Sequence, residues 1–252
     1  MVSKAPLVLQ ALEGLPLVAH GDDVANLILA ALRRAGEHLR DKDVIVIAQK
    51  IISKAEGRSV DLETVIPSKQ AVELAAKSDK DPRLVELILS ESREVLRVSP
   101  GIIIVQHRLG FVLANAGIDR SNVQGNCALL LPLDPDHSAG RIRLRLQESS
   151  RAEVGVMVID SIGRAWRNGT IGTVIGASGV TTLLDLRGKP DLFGRRLETT
   201  EVGWADELGA AASLIMGQAA EARPVVLARG IDIAGAGTAK DLLRPKAKDL
   251  FR

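Results

Sequence analysis

Apolar residues along the first sixty positions recur first at helical and then at strand spacing. Val24, Leu27, Ile28, Ala31 and Leu32 form an i, i+3, i+4, i+7 stripe behind Asp22 and Asp23 that ends at Arg33, Arg34 and Gly36. This predicts a capped amphipathic helix. Residues 44–48 (VIVIA) are too short for a buried helix and β-branched enough for a strand. That strand empties into a polar stretch, Gln49, Lys50, Ser53, Lys54, Glu56 and Gly57, and polar residues after a buried strand are a natural place for a site. Ser68 and Asp81-Pro82 read as helix starts, so two helices are predicted within 69–92. Residues 94–98, 101–105 and 111–114 read as short strands, the first two separated by Ser99-Pro100. They lead into a turn that carries Asp119.

Residues 137–149 fit two periods. Ile142, Leu144 and Leu146 alternate like a strand, while Ala139, Ile142 and Leu146 share one helical face. A helix is the better choice, because 154–159 makes a clearer strand and a crossover helix would join it to the earlier strands in a βαβ manner. A glycine-punctuated segment, a helix near 204–220, a strand at 224–228 and a charged tail complete the chain, with no internal repeat. The elements predict a mixed α/β (α+β) fold. Its 252 residues suit one domain, 1–252, of two intimately joined subdomains with mixed sheets and no assignable boundary.

Composition narrows the function classes. Hydrophobic residues make up 46% of the chain but aromatics only 2%, with no Tyr, so the core is built from Val, Ile, Leu and Ala, and base stacking on aromatic platforms is disfavoured. The charge of +2 arises from 33 basic and 31 acidic residues in mixed order, which argues against a nucleic-acid or other polyanion binder. Phosphate affinity, if present, is local. Cys127 is the single cysteine, so neither an intrachain disulfide nor a cysteine zinc cluster is available, and a reducing, cytoplasmic setting is expected. The N-terminal stretch lacks a continuous apolar export segment, and no run approaches the ~18 apolar residues of a membrane span.

Three groups of residues carry candidate chemistry. Asp119 lies in a turn with Arg120, Ser121 and Asn122, and Asp160 ends the apolar run VGVMVI beside Ser161. Two carboxylates and a hydroxyl suit Mg²⁺, which takes one or two protein carboxylates plus phosphate and water. The plainer reading is that both aspartates cap turns, and spacing alone does not pair them. Lys50 and Lys54 lie beyond a buried strand and could meet a triphosphate, Lys54 being the stronger candidate; solvated lysines paired with Glu56 are the alternative. Third, Gly163, Arg164, Trp166, Arg167 and Gly169, followed by Gly172, Gly176 and Gly179, could bring backbone amides and arginine forks to an anion, or simply form turns. No P-loop, dinucleotide fingerprint, histidine zinc motif or serine-hydrolase elbow is present.

Taken in order, GLPLV at 14–18, VIVIAQKIISKAEGR at 44–58, GFVLANAGIDRSN at 110–122, LLPLDPDHSA at 130–139, VIDSIGRAWRNG at 158–169, LLDLRGKPDLFG at 183–194, DELGAAASLIMGQ at 206–218 and the closing LLRPKAKDLFR resemble the coenzyme F420:L-glutamate ligase family. The resemblance implies GTP-dependent addition of L-glutamate to the phospholactyl carboxylate of coenzyme F420-0 through an acyl phosphate, then further γ-linked glutamates. It also implies two divalent ions, Mg²⁺ or Mn²⁺, with K⁺ as a candidate monovalent ion, and an intertwined homodimer. Carried over by residue, it places metal binding on Asp119, Asp160, Ser161 and Gly217 and catalysis on Lys54, Asp119 and Asp160. Nucleotide binding falls on Leu15, Pro16, Leu17, Val18, Gln49, Lys50, Lys54 and Asn122, and on Ile215, Met216, Gly217, Gln218, Ala219, Ala220, Glu221 and Ala222. Independently of the resemblance, Arg164, Arg167, Arg187 and Asp191 are candidates for the deazaflavin phosphate or the incoming glutamate.

The chain departs from the family pattern in its His107-Arg108 order before Leu-Gly-Phe and in Ser161, where threonine is frequent; the serine keeps the hydroxyl. The nitroreductase-like second domain of some relatives is not expected at this length. A paralogue acting on another amino acid or carboxylate would keep the same metal and phosphate residues. A non-catalytic nucleotide-binding protein would not need both aspartates.

Overall fold

A computed structural model describes residues 6–123 and 125–250. Residues 1–5, Gln124 and 251–252 lie outside the described residues, and with them the start of the N-terminal stretch and the last two residues of the quoted tail. In chain order the elements are β1 (Val8–Ala11), α1 (Val24–Arg34), β2 (Val44–Ala48), α2 (Gln49–Ala55), β3 (Ser59–Asp61), α3 (Lys69–Ser78), α4 (Pro82–Ser90), β4 (Ser92–Ser99), β5 (Ile102–His107) and β6 (Val112–Ala114). They continue with β7 (Cys127–Leu129), α5 (Pro135–Ser150), β8 (Gly155–Arg164), β9 (Arg167–Ser178), β10 (Leu184–Asp185), β11 (Glu201–Val202), α6 (Trp204–Met216) and β12 (Val225–Arg229). The fold is α+β.

The main sheet has the order β1-β12-β2-β8-β9, in which β2 and β8 are parallel and the other neighbours antiparallel. Every residue of 44–47 and 225–228 is buried, so the central strands are covered on both faces and read as continuous apolar runs. The parallel register sets Ala48 opposite Ile159. The pairing of the two strands stops there: β2 ends and passes into Gln49, while β8 runs on through Asp160 to Arg164 beside β9 alone. Ligand sites in such sheets favour this crevice at the carboxyl ends of adjacent strands.

A smaller antiparallel sheet, β4-β5-β6, packs with α3 and α4 around Ala71, Ala75, Val85, Ile88, Ile103, Val105 and Ala116. A third cluster, Leu62, Leu87, Ala128 and Leu130, seats the β3-β7 pair on α4. The small sheet is fastened to the rest by a buried carboxylate. Glu91 accepts from Arg58 Nη2 at 2.9 Å and from Arg108 Nε at 3.0 Å, and Arg58 Nε also donates to Leu131 O at 2.9 Å. His107 Nδ1 accepts from the Leu109 amide at 3.0 Å, which leaves the proton on Nε2, 3.4 Å from Glu91 Oε2. Desolvation pushes the Glu91 carboxyl up, but His107, Arg58 and Arg108 outweigh it and hold its pKa at about 2.

The predicted helix starts are where the sequence puts them. Asp23, Ser68 and Asp81 accept from the amides of Asn26, Ala71 and Arg83 at 3.1, 3.2 and 2.9 Å. The ambiguous 137–149 is helical, with Asp134 capping His137 N at 3.0 Å. Two expectations change. The polar stretch after β2 is itself a helix, α2, because its Ile51 and Ile52 are buried beneath the polar residues. The helix predicted to about 220 stops at Met216, where Gly217 turns to φ +76°. Five short strands, β1, β3, β7, β10 and β11, were not legible from periodicity.

The glycine-punctuated segment is the long strand β9. A Cβ on Gly172 would come within 2.5 Å of the Gly209 carbonyl of α6, and one on Gly176 would collide with the Pro135 carbonyl of α5. These two glycines let helices approach the sheet. They are neither turns nor an anion cradle.

Candidate active site

The site forms where β2 passes into α2 without a loop. Ala48 is the helix N-cap and Gln49 its first residue, so the side chains of 49–54 are set on one turn and a half of helix beyond the point where β2 leaves the middle of β8. Lys50 and Lys54 fall four residues apart, hence on one face. Asp119 arrives from the small sheet. It makes a two-bond bridge with Leu129, Asp119 N to Leu129 O at 3.0 Å and the reverse at 2.8 Å, while its Oδ1 accepts from Ser121 N at 2.6 Å. Its other oxygen pairs with the Lys50 ammonium, which also donates to Ser121 Oγ at 3.3 Å. Lys54 Nζ donates to the Asn122 carbonyl at 2.7 Å.

Asp160 also feels the Lys50 charge. Burial raises its pKa, against the Ser161 amide, which donates to Oδ1 at 2.8 Å, and against the Lys50 charge and the Gln49 amide. Burial lowers the Lys50 pKa, with Asp160 opposing and the Lys54 charge adding to it. Both groups are therefore short of compensation. Gln49 is buried, its Oε1 accepts from Ser53 Oγ at 2.8 Å, and its Nε2 meets no acceptor in hydrogen-bond geometry.

The end of α6 closes the third side. Ser161 Oγ donates to Gln218 Oε1 at 2.6 Å, and Gln218 Nε2 donates to Ser213 Oγ at 2.8 Å. Gly217 brings only its backbone, and a Cβ there would strike the Glu221 carboxylate. Glu221 accepts from the Ala219 amide at 2.7 Å, and bonds of this kind lower its pKa. Arg223, which follows the segment of Ala219, Ala220, Glu221 and Ala222, pairs at 2.9 Å with Glu13, which precedes the loop of Leu15, Pro16, Leu17 and Val18. In that loop Leu17 is exposed and Val18 buried. Met216 is a core residue and Ile215 packs against the same core.

Of the predicted residues, then, Asp119, Asp160, Ser161, Lys50, Lys54, Gln49, Asn122 and Gln218 are drawn to one place. The plain turn-capping reading of Asp119 holds as well, through Ser121, and does not use its second oxygen. Arg187 and Asp191 are not part of it. Arg187 pairs with Asp185 and Glu201, and Asp191 accepts from Phe193 N and Arg195 N within its own turn. Sequence reasoning ranked Lys54 over Lys50, yet Lys50 is the residue that pairs with Asp119 and interacts electrostatically with Asp160. It named Ser53 and Ser121 as neighbours without a role and missed Ser213; the three fix Gln49, Asp119 and Gln218. The i, i+4 pairs Gln49/Ser53 and Lys50/Lys54 were the available signal, visible only once 49–55 is taken as a helix.

No group of three or more His, Cys, Asp or Glu side chains gathers among the described residues. The donors fit a hard divalent ion nonetheless. They are all oxygens, from two carboxylates, the Ser161 hydroxyl, the Gln218 amide and the Gly217 carbonyl, and Asp160 is a half-buried carboxylate whose desolvation the protein only partly offsets. Among the described residues no helix is long and apolar enough to cross a membrane.

Residues 14–230 match the family model described as F420-0:Gamma-glutamyl ligase. The chain is 50% identical over 243 residues to the coenzyme F420:L-glutamate ligase of Methanothermobacter thermautotrophicus, covering 95% of this chain and 96% of that protein. It is 46% identical over 215 residues to the protein of the same name in Methanocaldococcus jannaschii, with 85% and 86% covered. For that of Archaeoglobus fulgidus the figures are 43% over 240 residues, with 95% and 94% covered.

Proposed function

The chain belongs to the F420-0:gamma-glutamyl ligase family, and from that premise we propose that it joins L-glutamate to the carboxylate of coenzyme F420-0 at the expense of GTP, and then extends the product by γ-linked glutamates. The observation that carries this reading is the convergence of Asp119, Asp160 and two lysines at the start of α2. A free carboxylate is a poor electrophile. Transfer of the γ-phosphoryl group to an acceptor carboxylate oxygen releases GDP and makes the carbonyl carbon reactive. The amine of glutamate then attacks that carbon, the bond to the phosphate oxygen breaks, and the nitrogen loses a proton as the amide forms.

Lys54 and Lys50 stand where they would meet the triphosphate, with the 15–18 loop, Asn122 and the 215–222 segment around the nucleotide. Asp119, Asp160, Ser161, Gln218 and the Gly217 carbonyl would hold Mg²⁺ or Mn²⁺, which would supply charge neutralisation for the transferring phosphoryl group. In the protein alone Lys50 occupies part of that role beside Asp119. A homodimer is part of the reading. In a chain with 2% aromatic residues, Trp166 and Phe193 sit at hairpin turns 86% and 95% exposed, and Leu192 is 99% exposed, which suits tips that meet a second copy.

The test is to incubate the protein with coenzyme F420-0, L-glutamate, GTP and Mg²⁺ or Mn²⁺, and to follow GDP and the mass of the coenzyme. Glutamylated coenzyme with stoichiometric GDP is expected. GDP without glutamylation would remove the substrate assignment, and neither product from folded, GTP-binding protein would remove the enzyme reading.

A further inference from the structure

Several half-buried arginines elsewhere in this molecule meet carboxylates, and half-buried Arg143 donates to the Val154 carbonyl. Arg58 and Arg108 share Glu91, and Arg229 lies on Asp43 and Glu37. Arg164 breaks the pattern. Its Nη1 is sealed from solvent without an acceptor, and among the described residues the Arg164 side chain forms no ion pair and no hydrogen bond. A guanidinium is always charged and presents five donors, so burying part of it unpaired is a standing cost to the fold.

Its position relates that cost to the site. Beyond Ile159, β8 alternates half-buried Asp160, Ile162 and Arg164 with exposed Ser161 and Gly163. The β8–β9 register shifts between Gly163 and Arg164, but the burial alternation runs through it and sets Arg164 on the same strand face as Asp160. Four residues of strand rise separate the two by roughly 13 Å, and the long arginine side chain shortens that gap. This is the span of a small extended substrate with its reacting carboxyl near Asp160 and another anionic group further out. The flanking arginines do not offer the same thing: Arg167 is exposed, and Arg187 is already neutralised by Asp185 and Glu201.

We propose that Arg164 is the anion-binding residue for the substrates other than the nucleotide, its planar fork receiving a carboxylate or phosphodiester oxyanion. This rests on the ligase reading, in which both the acceptor and the incoming amino acid are anions. A fork matches two oxygens of one oxyanion, which fixes orientation as well as charge, and a lysine in its place would supply only the charge. The orphaned N–H is then a donor prepared for substrate.

The experiment compares wild type with Arg164→Met and Arg164→Lys. Steady-state kinetics are run with L-glutamate varied at saturating coenzyme F420-0 and with the coenzyme varied at saturating glutamate. Arg164→Met is expected to lose about tenfold to a hundredfold in kcat/KM for one of the two, mainly through KM, with KM for GTP unchanged. Which KM rises identifies the source of the anion: glutamate assigns it to the incoming amino acid, the coenzyme to the acceptor. Arg164→Lys should recover only part of the loss. The thermal midpoint of Arg164→Met should be equal to or above that of wild type, because the substitution removes an unpaired buried donor; a purely structural arginine would lower it.

Calorimetric binding of L-glutamate and of coenzyme F420-0 to each protein reads the contact without turnover. Wild type that binds both but ligates neither would sink the ligase reading alone. Both values of kcat/KM within twofold of wild type, with equal binding, would sink the Arg164 assignment alone.

Discussion

Glu91 is where a charge buried at the joint between the two sheets becomes a measurable stability. Its carboxyl is held at about 2 from an ordinary 4.5. A depressed acid contributes stability that is fully present above the unfolded value and is lost as pH falls through the folded one. The window is therefore from about pH 5 down to about pH 2. A shift of some two to three units corresponds to on the order of 3 kcal/mol at neutral pH. Glu91→Gln removes the charge and leaves Arg58 and Arg108 facing a neutral amide, so a loss of about 3–5 kcal/mol is expected at pH 7. Urea unfolding of both proteins at pH 7, 5, 4 and 3 measures it. The gap between wild type and variant should hold from pH 7 to 5 and narrow steadily at pH 4 and 3 as the wild-type carboxylate is protonated. A gap that stays constant across that range would refute the assignment of this stability to the Glu91 charge. The consequence reaches the site, because Asp119 belongs to the part of the chain that this joint fastens in place.

Three further outcomes are expected. Asp160→Asn should lose roughly two orders of magnitude or more in turnover, while its thermal midpoint stays level or rises, since burial already disfavours the carboxylate; calorimetry and GDP release check the pair. Gly172→Ala should destabilise by about 1–3 kcal/mol in chemical denaturation, because the added methyl meets the Gly209 carbonyl and α6 cannot retreat without unpacking. If the hairpin tips join two copies, Trp166→Ser with Phe193→Ser should shift the sedimentation coefficient to that of a monomer and leave the circular dichroism of the fold unchanged.

Local signals were the legible ones. The caps at Asp23, Ser68 and Asp81, the strand VIVIA and the helix over 137–149 follow from side-chain chemistry acting within a few residues, and the structure keeps them. The short strands β1, β3 and β7 carry no such signal, because their pairing is set by partners far along the chain, β12 for β1 and each other for β3 and β7. The same limit applies to the site. Asp119 and Asp160 could be named as carboxylates near strand ends, but each had an adequate explanation as a turn residue.

The sequence by itself determined the helix boundaries with polar caps, an aliphatic core, the absence of a disulfide and, through long ordered blocks of similarity, the family. Only the tertiary structure decided that Lys50 pairs with Asp119 and interacts electrostatically with Asp160, that Gly172 and Gly176 serve helix packing, that Arg187 is already neutralised and that the Arg164 side chain is not. The physical reason is that charge compensation is a property of distance in space. The parallel register of β2 and β8 brings residues over a hundred positions apart together where β2 ends, and spacing along the chain carries no trace of it.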